Sequence, residues 1–443
     1  MIDLKNIRKV YFIGIGGIGM SAIARMLVLH SFSEAGSVQV TGSDRASSLV
    51  TEELEKLGIK IFYEQKAENI TPDVDLVIYT IAITEDNPEL KKARELGIKC
   101  LTYPEMLGVI SDGKFTIAVA GTHGKTTTTA MIAEVMIEAG LDPTVIVGSL
   151  LKPKNARPSL AKTPRLGLKF PETESRGSNF IAGKSKYLIV EACEYRRSFL
   201  NLHPTLAVVT NIDNDHLDYY KDLADIKNAF DQFLAQSENK IVDYQKYLAK
   251  VPELLVPGEH NRLNAAATLA VADFLNIEEE VARRALAKFT GTWRRFEFKG
   301  KTKNGAIVYD DYAHHPTEIS ASLAGAREFM KKRNLAGRLI VAFQPHLYSR
   351  TKLLKDDFAS ALAGADEIIL APIYAAREPN DPEISSDILA DLIKTQNTNV
   401  SSPPNLEEVK NYVIKNSKEG DLVITMGAGD IGTVGDKLVE SRG

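Results

Sequence analysis

The chain has 443 residues and a mass of 48.7 kDa, which predicts two to four domains at about 100–200 residues each. Hydrophobic residues make up 44% and charged residues 25%, as in globular proteins, so extensive disorder and fibrous repeats are excluded. The net charge of −4 and the isoelectric point near 6.1 argue against a protein dedicated to nucleic acid.

The chain has two cysteines, Cys100 and Cys193, which excludes a disulfide framework and a cysteine-based zinc site. No apolar run reaches the roughly 18 residues that a membrane span needs. The first residues also lack the layout of a secretion signal. We therefore expect a cytoplasmic α/β protein without membrane insertion. The sequence does not distinguish between a monomer and a homodimer.

Strand-type runs alternate with helical patterns along the chain. In the first part, strands are predicted at residues 10–15, 38–42, 60–62 and 75–80, and helices at 19–29, 48–57 and 88–96. The second part has predicted strands at 115–120, 187–191 and 206–210 and helices at 125–139 and 261–276. The third has strands at 306–310, 339–343, 367–371 and 421–426 and a helix at 316–332. Such repeats indicate parallel sheets covered by helices, with boundaries near residues 111 and 292.

One stretch, residues 152–186, departs from this pattern. It holds nine Lys and Arg residues against two Glu, together with several Pro and Gly. A connection of this length is longer than an ordinary loop. We interpret it as a solvated basic insertion, and the alternative is a clamp for an anionic ligand.

A glycine-rich turn follows the first predicted strand and opens the first predicted helix. Its residues are Gly14, Gly16, Gly17, Ile18 and Gly19. Glycines let backbone N–H groups approach a pyrophosphate, and a helix N-terminus adds partial positive charge. Ser43 and Asp44 follow the next strand, where an acid that binds a ribose is expected. The turn predicts a nucleotide diphosphate site, and the alternative is a tight turn without a ligand.

A second loop, residues 120–128, lies between a predicted strand and a long predicted helix and contains Gly-Lys-Thr. Val119 occupies the position of the first glycine of the usual P-loop, so this loop departs from that spacing. Lys125 would reach the β- and γ-phosphates, and Thr126 would hold Mg²⁺. The other candidate nucleotide-binding residues of the loop are Gly121, Thr122, His123, Gly124 and Thr127.

The loop at residues 121–127 (GTHGKTT) resembles the ATP loop of the Mur ligases, ATP-dependent amide-forming enzymes of peptidoglycan synthesis. Further motifs in the family's order are 14–20 (GIGGIGM), 191–199 (EACEYRRSF), 210–218 (TNIDNDHLD), 309–316 (YDDYAHHP) and 344–350 (QPHLYSR). These motifs look like the branch that joins L-alanine to UDP-N-acetylmuramate. The match runs from about residue 8 to the last predicted strand, with 152–186 outside it.

The resemblance implies three domains: a Rossmann-like UDP-sugar domain at 1–110, a central P-loop-type ATP domain at 111–291, and a Rossmann-like domain at 292–443 for the amino acid. It implies that ATP, with two Mg²⁺ ions, phosphorylates the carboxylate of UDP-N-acetylmuramate. The amine of L-alanine then attacks the acyl phosphate.

The resemblance also assigns metal and adenine contacts. It makes Glu191 and His216 ligands of the two Mg²⁺ ions. It places Asn264 near the adenine, with His260 or Asn261 beside it. From its position alone, Asn261 would instead cap the helix predicted there.

The resemblance places the remaining site residues in the third part of the chain, residues 292–443. Of Arg294 and Arg295, one reaches the phosphates, and we favour Arg295. Asp311 is expected to bind the ribose of ATP. The residues expected at the reacting end are Tyr312 and His314, with His315 as the alternative to His314.

His346 and Arg350 are implied to hold the alanine carboxylate, since arginine is the natural bidentate partner of a carboxylate. The family usually has arginine where Leu347 stands, which leaves amino-acid recognition open. The nearest alternative function is the related recycling ligase that adds a tripeptide to the same UDP-sugar. Two alternatives from other classes are an NAD-dependent dehydrogenase and a non-catalytic nucleotide-binding regulator.

Overall fold

The computed structural model describes residues 4–29, 38–151, 178–216, 219–376 and 378–440, and these contain three β-sheets. The chain divides into two compact units, residues 1–252 with 263–287, and residues 253–262 with 288–443. The first two sheets lie in the first unit and the third in the second. Within the described ranges, no helix is long and apolar enough to cross a membrane.

The first sheet is parallel and has the order β3-β2-β1-β4-β5. Its strands are β1 (Lys9–Ile13), β2 (Gln39–Ser43), β3 (Lys60–Phe62), β4 (Leu76–Tyr79) and β5 (Lys99–Thr102). The helices are α1 (Ile18–Leu29), α2 (Leu49–Lys56), α3 (Pro88–Glu95) and α4 (Tyr103–Ser111), with 3₁₀ turns at Leu4–Asn6 and Ala67–Asn69. Ser48, Asn87 and Thr102 cap α2, α3 and α4 with side-chain oxygens, which explains where these helices begin.

The second sheet has the order β11-β10-β6-β9-β7-β8, in which only β8 runs antiparallel to its neighbour. Its strands are β6 (Phe115–Ala120), β7 (Thr144–Leu151), β8 (Ser178–Ile181), β9 (Tyr187–Glu191), β10 (Leu206–Val209) and β11 (Asn239–Ile241). The helices are α5 (Lys125–Glu138), α6 (Leu223–Ala235), α7 (Glu259–Phe274) and α8 (Glu279–Ala287), with 3₁₀ turns at Tyr195–Asn201 and Gln245–Lys250.

The third sheet has the order β12-β13-β17-β14-β15-β16, in which only β12 is antiparallel to its neighbour. Its strands are β12 (Glu297–Lys301), β13 (Ile307–Asp311), β14 (Leu339–Phe343), β15 (Glu367–Leu370), β16 (Val400–Ser401) and β17 (Leu422–Met426). The helices are α9 (Pro316–Lys332), α10 (Tyr348–Leu353), α11 (Lys355–Leu362), α12 (Ser386–Lys394), α13 (Leu406–Asn416) and α14 (Gly432–Glu440).

The hydrophobic core follows this division. In the first unit, one cluster joins side chains of the first sheet, such as Phe12, to side chains of the second, such as Val190 and Phe230. In the second unit, two clusters cover the two faces of the third sheet, with Phe343 in one and Val423 in the other. The central strands are buried on both sides, as expected for parallel sheets between helices.

Every helix and strand predicted from the sequence is present, with bounds within two residues of the predicted ones. The predicted insertion at 152–186 is shorter, because residues 178–181 form β8 and pair with β7. Residues 152–177 lie outside the described part of the chain, so the two interpretations of the insertion stay predictions.

Candidate functional site

The first glycine turn lies where the order of the first sheet reverses. β1 is flanked by β2 and β4, so the loop after β1 opens into the crevice where open α/β sheets bind ligands. The Gly16 N–H donates to Asp44 Oδ2 at 2.7 Å, and the Ser43 carbonyl accepts from Gly14 N at 2.8 Å. The structure thus brings the predicted turn and the predicted acid together.

The end of this turn leads into α1. The Gly17 N–H donates to the Gly14 carbonyl at 3.3 Å, and Ile18 is the first residue of α1. A Cβ on Gly19 would lie 2.4 Å from the ring of Tyr103, the first residue of α4. Gly19 is therefore explained by close helix packing, whether or not a ligand binds.

Ser43 is a buried part of the same region. Its hydroxyl donates to Glu89 Oε2 at 2.6 Å, while the Tyr11 hydroxyl donates to Glu89 Oε1 at 2.7 Å. Burial raises the pKa of Glu89, against the hydrogen bonds from Asn69, Ser43 and Tyr11. The Ser43 side chain therefore faces the interior, and its carbonyl is the group that reaches the turn.

The second loop lies at the corresponding place in the second sheet. β6 is flanked by β9 and β10, and the loop after it is tied to the end of β10. The His123 N–H donates to Asn211 Oδ1 at 2.9 Å, and Asn211 Nδ2 donates to the His123 carbonyl at 2.9 Å. The Asp213 N–H donates to Thr122 Oγ1 at 2.8 Å. These bonds fix a loop that opens at the carboxyl ends of parallel strands.

Gly124 precedes α5 in a left-handed conformation, with φ at 84°. A Cβ there would lie 2.4 Å from Asn264 Oδ1, so the predicted nucleotide loop and Asn264 of α7 are in direct contact. Thr127 is buried in the first turn of α5. The structure brings these predicted nucleotide-binding residues into one place.

Lys125 is the most enclosed cation of the loop. Its Nζ donates to the carbonyls of Gly121 at 2.6 Å and Thr122 at 3.1 Å, and to Glu194 Oε1 at 2.9 Å. Burial alone would lower the pKa of Lys125, but the Glu194 carboxylate raises it above its ordinary value. The lysine is therefore charged and held against the loop.

Glu194 is almost completely enclosed, with 3% of its side chain exposed. Burial alone would raise its pKa, but Lys125 and then His216 hold the pKa below its ordinary value. His216 Nε2 lies 3.5 Å from Glu194 Oε1. His216 is thus placed beside Glu194, although the resemblance implied a metal at this histidine.

Thr126 and Glu191 form the group that fits Mg²⁺. Thr126 Oγ1 lies 3.1 and 3.0 Å from the two carboxylate oxygens of Glu191, at the ends of α5 and β9. Hydroxyl and carboxylate oxygens are the ligands that this ion prefers, with water completing its shell. Within the described ranges, no group of three or more His, Cys, Asp or Glu side chains could hold a metal. Thr126 and Glu191 would thus supply part of the oxygen shell of such an ion, and the metal site stays a prediction.

The start of α7 corrects one prediction. The helix begins at Glu259, and Asn261 Nδ2 donates to the Pro257 carbonyl at 2.7 Å, so Asn261 does not cap the helix. Burial, followed by the charge of Arg295, lowers the pKa of His260 to about 4.

Arg294 and Arg295 have different surroundings in the second unit. Arg294 is buried, and its guanidinium donates to Asp310 Oδ2 at 2.6 Å and to the Gly427 and Gly429 carbonyls. Arg295 is 30% exposed and lies 3.8 Å from Glu318. Arg294 is therefore bound within the fold of the second unit, and the preference for Arg295 as the phosphate contact stays a prediction.

The Asp311 carboxyl faces the interior of the second unit. It accepts hydrogen bonds from Phe296 N at 3.1 Å, Ser322 Oγ at 3.1 Å and Ala313 N at 2.8 Å. Burial raises its pKa to about 6. Asp311, the last residue of β13, thus holds the segment before β12 and α9 together, and the predicted ribose contact stays a prediction.

The two histidines after β13, His314 and His315, make different contacts. His315 caps α9, with Nδ1 accepting from Thr317 N at 3.4 Å. His314 Nδ1 lies 3.0 Å from the Tyr312 carbonyl and 3.4 Å from Glu318, and burial lowers its pKa. His315 thus has a role as a helix cap, and the choice of His314 as the residue at the reacting end stays a prediction.

His346 lies close to His314, with ring centroids 6.1 Å apart, and stacks on Tyr374 at 5.6 Å. Burial, followed by the charges of His314 and Arg350, lowers the pKa of His346 to about 4. Its Nδ1 is buried and has no hydrogen-bond partner among the described residues. His346, which is predicted to contact L-alanine, therefore has a buried polar atom without a partner among the described residues.

Leu347 stands beside them with φ at 71° and ψ at 135°, a conformation that costs a leucine about 1–3 kcal/mol. Its N–H donates to the Tyr374 carbonyl at 2.9 Å, and its carbonyl accepts from Thr351 N at 3.1 Å. The strained leucine begins the turn that carries Arg350 in α10.

Sequence reasoning missed several residues that fix the ATP loop, chiefly Glu194, Asn211 and Asp213. Each lies inside a motif that follows a strand of the second sheet. A polar residue at the carboxyl end of a parallel strand was the signal that could have identified them.

Three family models and several curated relatives match the sequence of this chain. The family model "Mur ligase family, catalytic domain" matches residues 9–115, "Mur ligase middle domain" matches 119–250, and "Mur ligase, glutamate ligase domain" matches 294–429. The UDP-N-acetylmuramate–L-alanine ligase of Clostridium botulinum is 40% identical over 98% of this chain and 97% of its own length. The ligase of the same name from Agathobacter rectalis is 38% identical over 99% of both chains.

Solved structures of related ligases have the same fold. The UDP-N-acetylmuramate–alanine ligase of Thermotoga maritima superimposes with a TM-score of 0.76, at 28% identity over 98% of both chains. A murein peptide ligase from Psychrobacter arcticus shares the fold, with a TM-score of 0.61 at 21% identity over 98% of both chains. With three family models matched in order and relatives aligned along nearly the whole length, the chain belongs to the Mur ligase family.

Proposed function

We propose that the chain joins L-alanine to UDP-N-acetylmuramate with ATP, giving UDP-N-acetylmuramoyl-L-alanine, ADP and phosphate. The meeting of Lys125, Thr126 and Glu191 at the carboxyl ends of β6 and β9 carries the proposal. This arrangement supplies a cation and hard oxygen ligands where a nucleoside triphosphate would lie. The relatives with this activity in their names align over nearly the whole chain.

The proposed reaction explains why cations are needed at the site. An oxygen of the UDP-N-acetylmuramate carboxylate attacks the γ-phosphorus of ATP, and ADP leaves. The L-alanine nitrogen then attacks the carbonyl carbon, phosphate leaves, and the nitrogen loses its proton. Positioning and neutralisation of the phosphoryl oxygens account for most of the catalysis of such transfers. Lys125 and Arg295 are the proposed cations.

Bound Mg²⁺ would neutralise phosphate oxygens and orient them for transfer. Thr126 and Glu191 would hold one ion through oxygen atoms that already lie about 3 Å apart. His216 would take part in a second site, with ATP oxygens and water as the remaining ligands. Asn264, which contacts the loop at Gly124, would lie on the nucleotide side.

The UDP-sugar would bind at the first glycine turn. The first N–H groups of an α-helix have no partner within the helix, so the start of α1 favours a diphosphate there, and Asp44 would hold a ribose hydroxyl. Asp44 already fixes the turn through Gly16, so the same carboxylate would order the turn and bind the ligand.

L-alanine would bind to the second unit. Arg350 would pair with its carboxylate, and His346 would donate from a neutral ring, since burial keeps its pKa near 4. His314 would line the reacting end, and Asp311 would contact the ribose of ATP. We place the reaction in the cytoplasm, where ATP is supplied.

The activity is tested by measuring ADP release from ATP in the presence of UDP-N-acetylmuramate with and without L-alanine. We expect release only when both substrates are present. ADP release without UDP-N-acetylmuramate and L-alanine would contradict the proposal. So would the absence of ADP release when both are present.

The choice of amino acid is tested by competition between L-alanine and the tripeptide that the related recycling ligase uses. We expect turnover with L-alanine and little with the tripeptide. Phosphate release with the tripeptide alone would support the recycling reaction instead.

The role of Lys125 is tested by Lys125→Ala. We expect turnover to fall below detection, while the affinity for UDP-N-acetylmuramate changes less than about threefold, because the sugar turn is a separate loop of the first unit. Calorimetric titration with the UDP-sugar measures that affinity. A large loss of it would contradict the proposed division between the two loops.

A further inference from the structure

Glu194 has no role in the chemistry derived above, although its carboxylate lies inside the ATP loop. It follows β9 by three residues, after Glu191, and leads into the 3₁₀ turn at Tyr195–Asn201. The Tyr220 hydroxyl donates to its backbone carbonyl, which fixes the segment from a second side. The end of β9 and the bond from Tyr220 thus place the carboxylate beside the loop.

The Glu194 carboxylate faces two basic side chains. Its Oε1 accepts a hydrogen bond from Lys125, whereas its buried Oε2 accepts none among the described residues. Both of its carboxylate oxygens lie 2.9 Å from Lys125 Nζ, and Oε1 lies 3.5 Å from His216 Nε2. Lysine has three N–H donors, and here they go to Glu194 and to the carbonyls of Gly121 and Thr122. Lys125 therefore reaches a phosphate oxygen only by exchanging one of these bonds.

The bond to Glu194 restrains the ammonium most strongly. It is a charge-assisted bond between groups that are 15% and 3% exposed, and such bonds are about twice as strong as those to neutral carbonyls. The carboxylate thus does two things at once. It fixes the direction of the lysine and competes with the phosphate for it.

We propose that Glu194 is a positioning residue for phosphoryl transfer: its carboxylate aims Lys125 Nζ and steadies His216 Nε2, at the cost of weaker nucleotide binding. The inference rests on the proposed function, because it requires Lys125 to bind phosphate. It predicts opposite effects on turnover and on nucleotide affinity when the charge of Glu194 is removed. A side chain that only supports the fold would weaken both.

The test compares Glu194→Gln with wild type in the full-length protein. We expect kcat to fall about 100-fold, as when one aligned group of a transition-state site is lost. We expect the Kd for ADP, titrated calorimetrically in EDTA so that no metal takes part, to fall about three- to tenfold. Glu194→Asp keeps the charge and should recover part of kcat.

The matched control is Glu138→Gln, at the other end of α5, where Glu138 pairs with Arg284 at 3.3 Å. It should leave kcat and the ADP affinity unchanged, and melting curves would confirm that every variant is folded. A Glu194→Gln enzyme with kcat within about threefold of wild type, or with weaker ADP binding, would overturn the inference. A wild-type protein that neither binds ADP nor releases it from ATP would instead sink the proposed function.

Discussion

Arg294 and Arg295 are neighbours in the sequence, yet only the first is a structural cation. Arg294 and Asp310 are 7% and 2% exposed, so removing the arginine leaves a buried carboxylate without its cation, although Thr425 still donates to it. We expect Arg294→Ala to lower the free energy of unfolding by about 3–5 kcal/mol, and Arg295→Ala by less than about 1 kcal/mol. Urea unfolding followed by fluorescence of the single tryptophan, Trp293, measures both, and equal losses would contradict this assignment.

His346 provides a prediction about pH. Its pKa is about 4 in the folded chain and near 6.5 when unfolded, so between these values the unfolded chain binds more protons. Its contribution to stability is therefore complete above pH 6.5 and is lost as the pH falls towards 4. We expect His346→Gln to remove this part of the acid sensitivity, measured as the difference between wild-type and variant unfolding free energies at pH 7 and pH 5. A difference that is the same at both would refute it.

At the residue scale, the sequence predicts candidate site residues but not the side chains that contact them. Lys125, Glu191 and Arg350 could be named because motifs specify residue types at fixed spacing. The partner of Lys125 could not, because Glu194 is 69 residues away and reaches the loop only through the pairing of β6 with β9. Arg294 and Arg295 were distinguishable only by burial, which depends on the whole fold.

At the scale of elements, the loop before α5 gives a matched pair of substitutions. Gly124 and Gly140 flank this helix with φ at 84° and 77°, so alanine strains the backbone similarly at both. Only at Gly124 would the new Cβ meet a neighbour, Asn264, whereas nothing lies within 4 Å at Gly140. We expect Gly124→Ala to weaken ADP binding at least tenfold and Gly140→Ala to change it less than twofold, by calorimetry. Similar losses at both would point to strain alone.

The elements that the sequence left unpredicted share a physical cause. Among the strands they are β5, β7, β8, β11, β12 and β16, and all except β7 lie at a sheet edge. Edge strands such as β11 and β16 have only three and two residues, and half of their surroundings is solvent. They therefore lack the apolar runs that identified central strands such as β6 and β14, and only pairing with a neighbour defines them.

At the scale of the molecule, the two units should be separable by function. Arg350 belongs to the second unit and the Gly-Lys-Thr loop to the first. We expect Arg350→Ala to raise the KM for L-alanine at least tenfold and to leave the Kd for ADP within twofold of wild type. Initial rates at varied L-alanine and calorimetry with ADP measure the two effects, and a parallel loss of ADP binding would contradict the assignment.

The alternation of strands and helices predicted three α/β segments, and each of the three sheets takes its strands from one of them. It did not predict that residues 253–262 belong with the second unit. That assignment depends on contacts distant in sequence, such as the bond from Gly258 N to Glu328. Periodicity within a window cannot detect such contacts.

The pairing of β7 with β8 has a consequence for protein engineering. Leu151 and Ser178 are register partners, so the chain leaves the sheet and returns to it at neighbouring positions. Joining such points costs little more entropy for a long connection than for a short one. The 26 residues between them could thus be exchanged for a brief Asn-Gly hairpin, a purification tag or a fluorescent reporter while the sheet keeps its register. An exchange for a neutral hairpin also tests whether the basic stretch is a clamp for an anionic ligand or a solvated insertion.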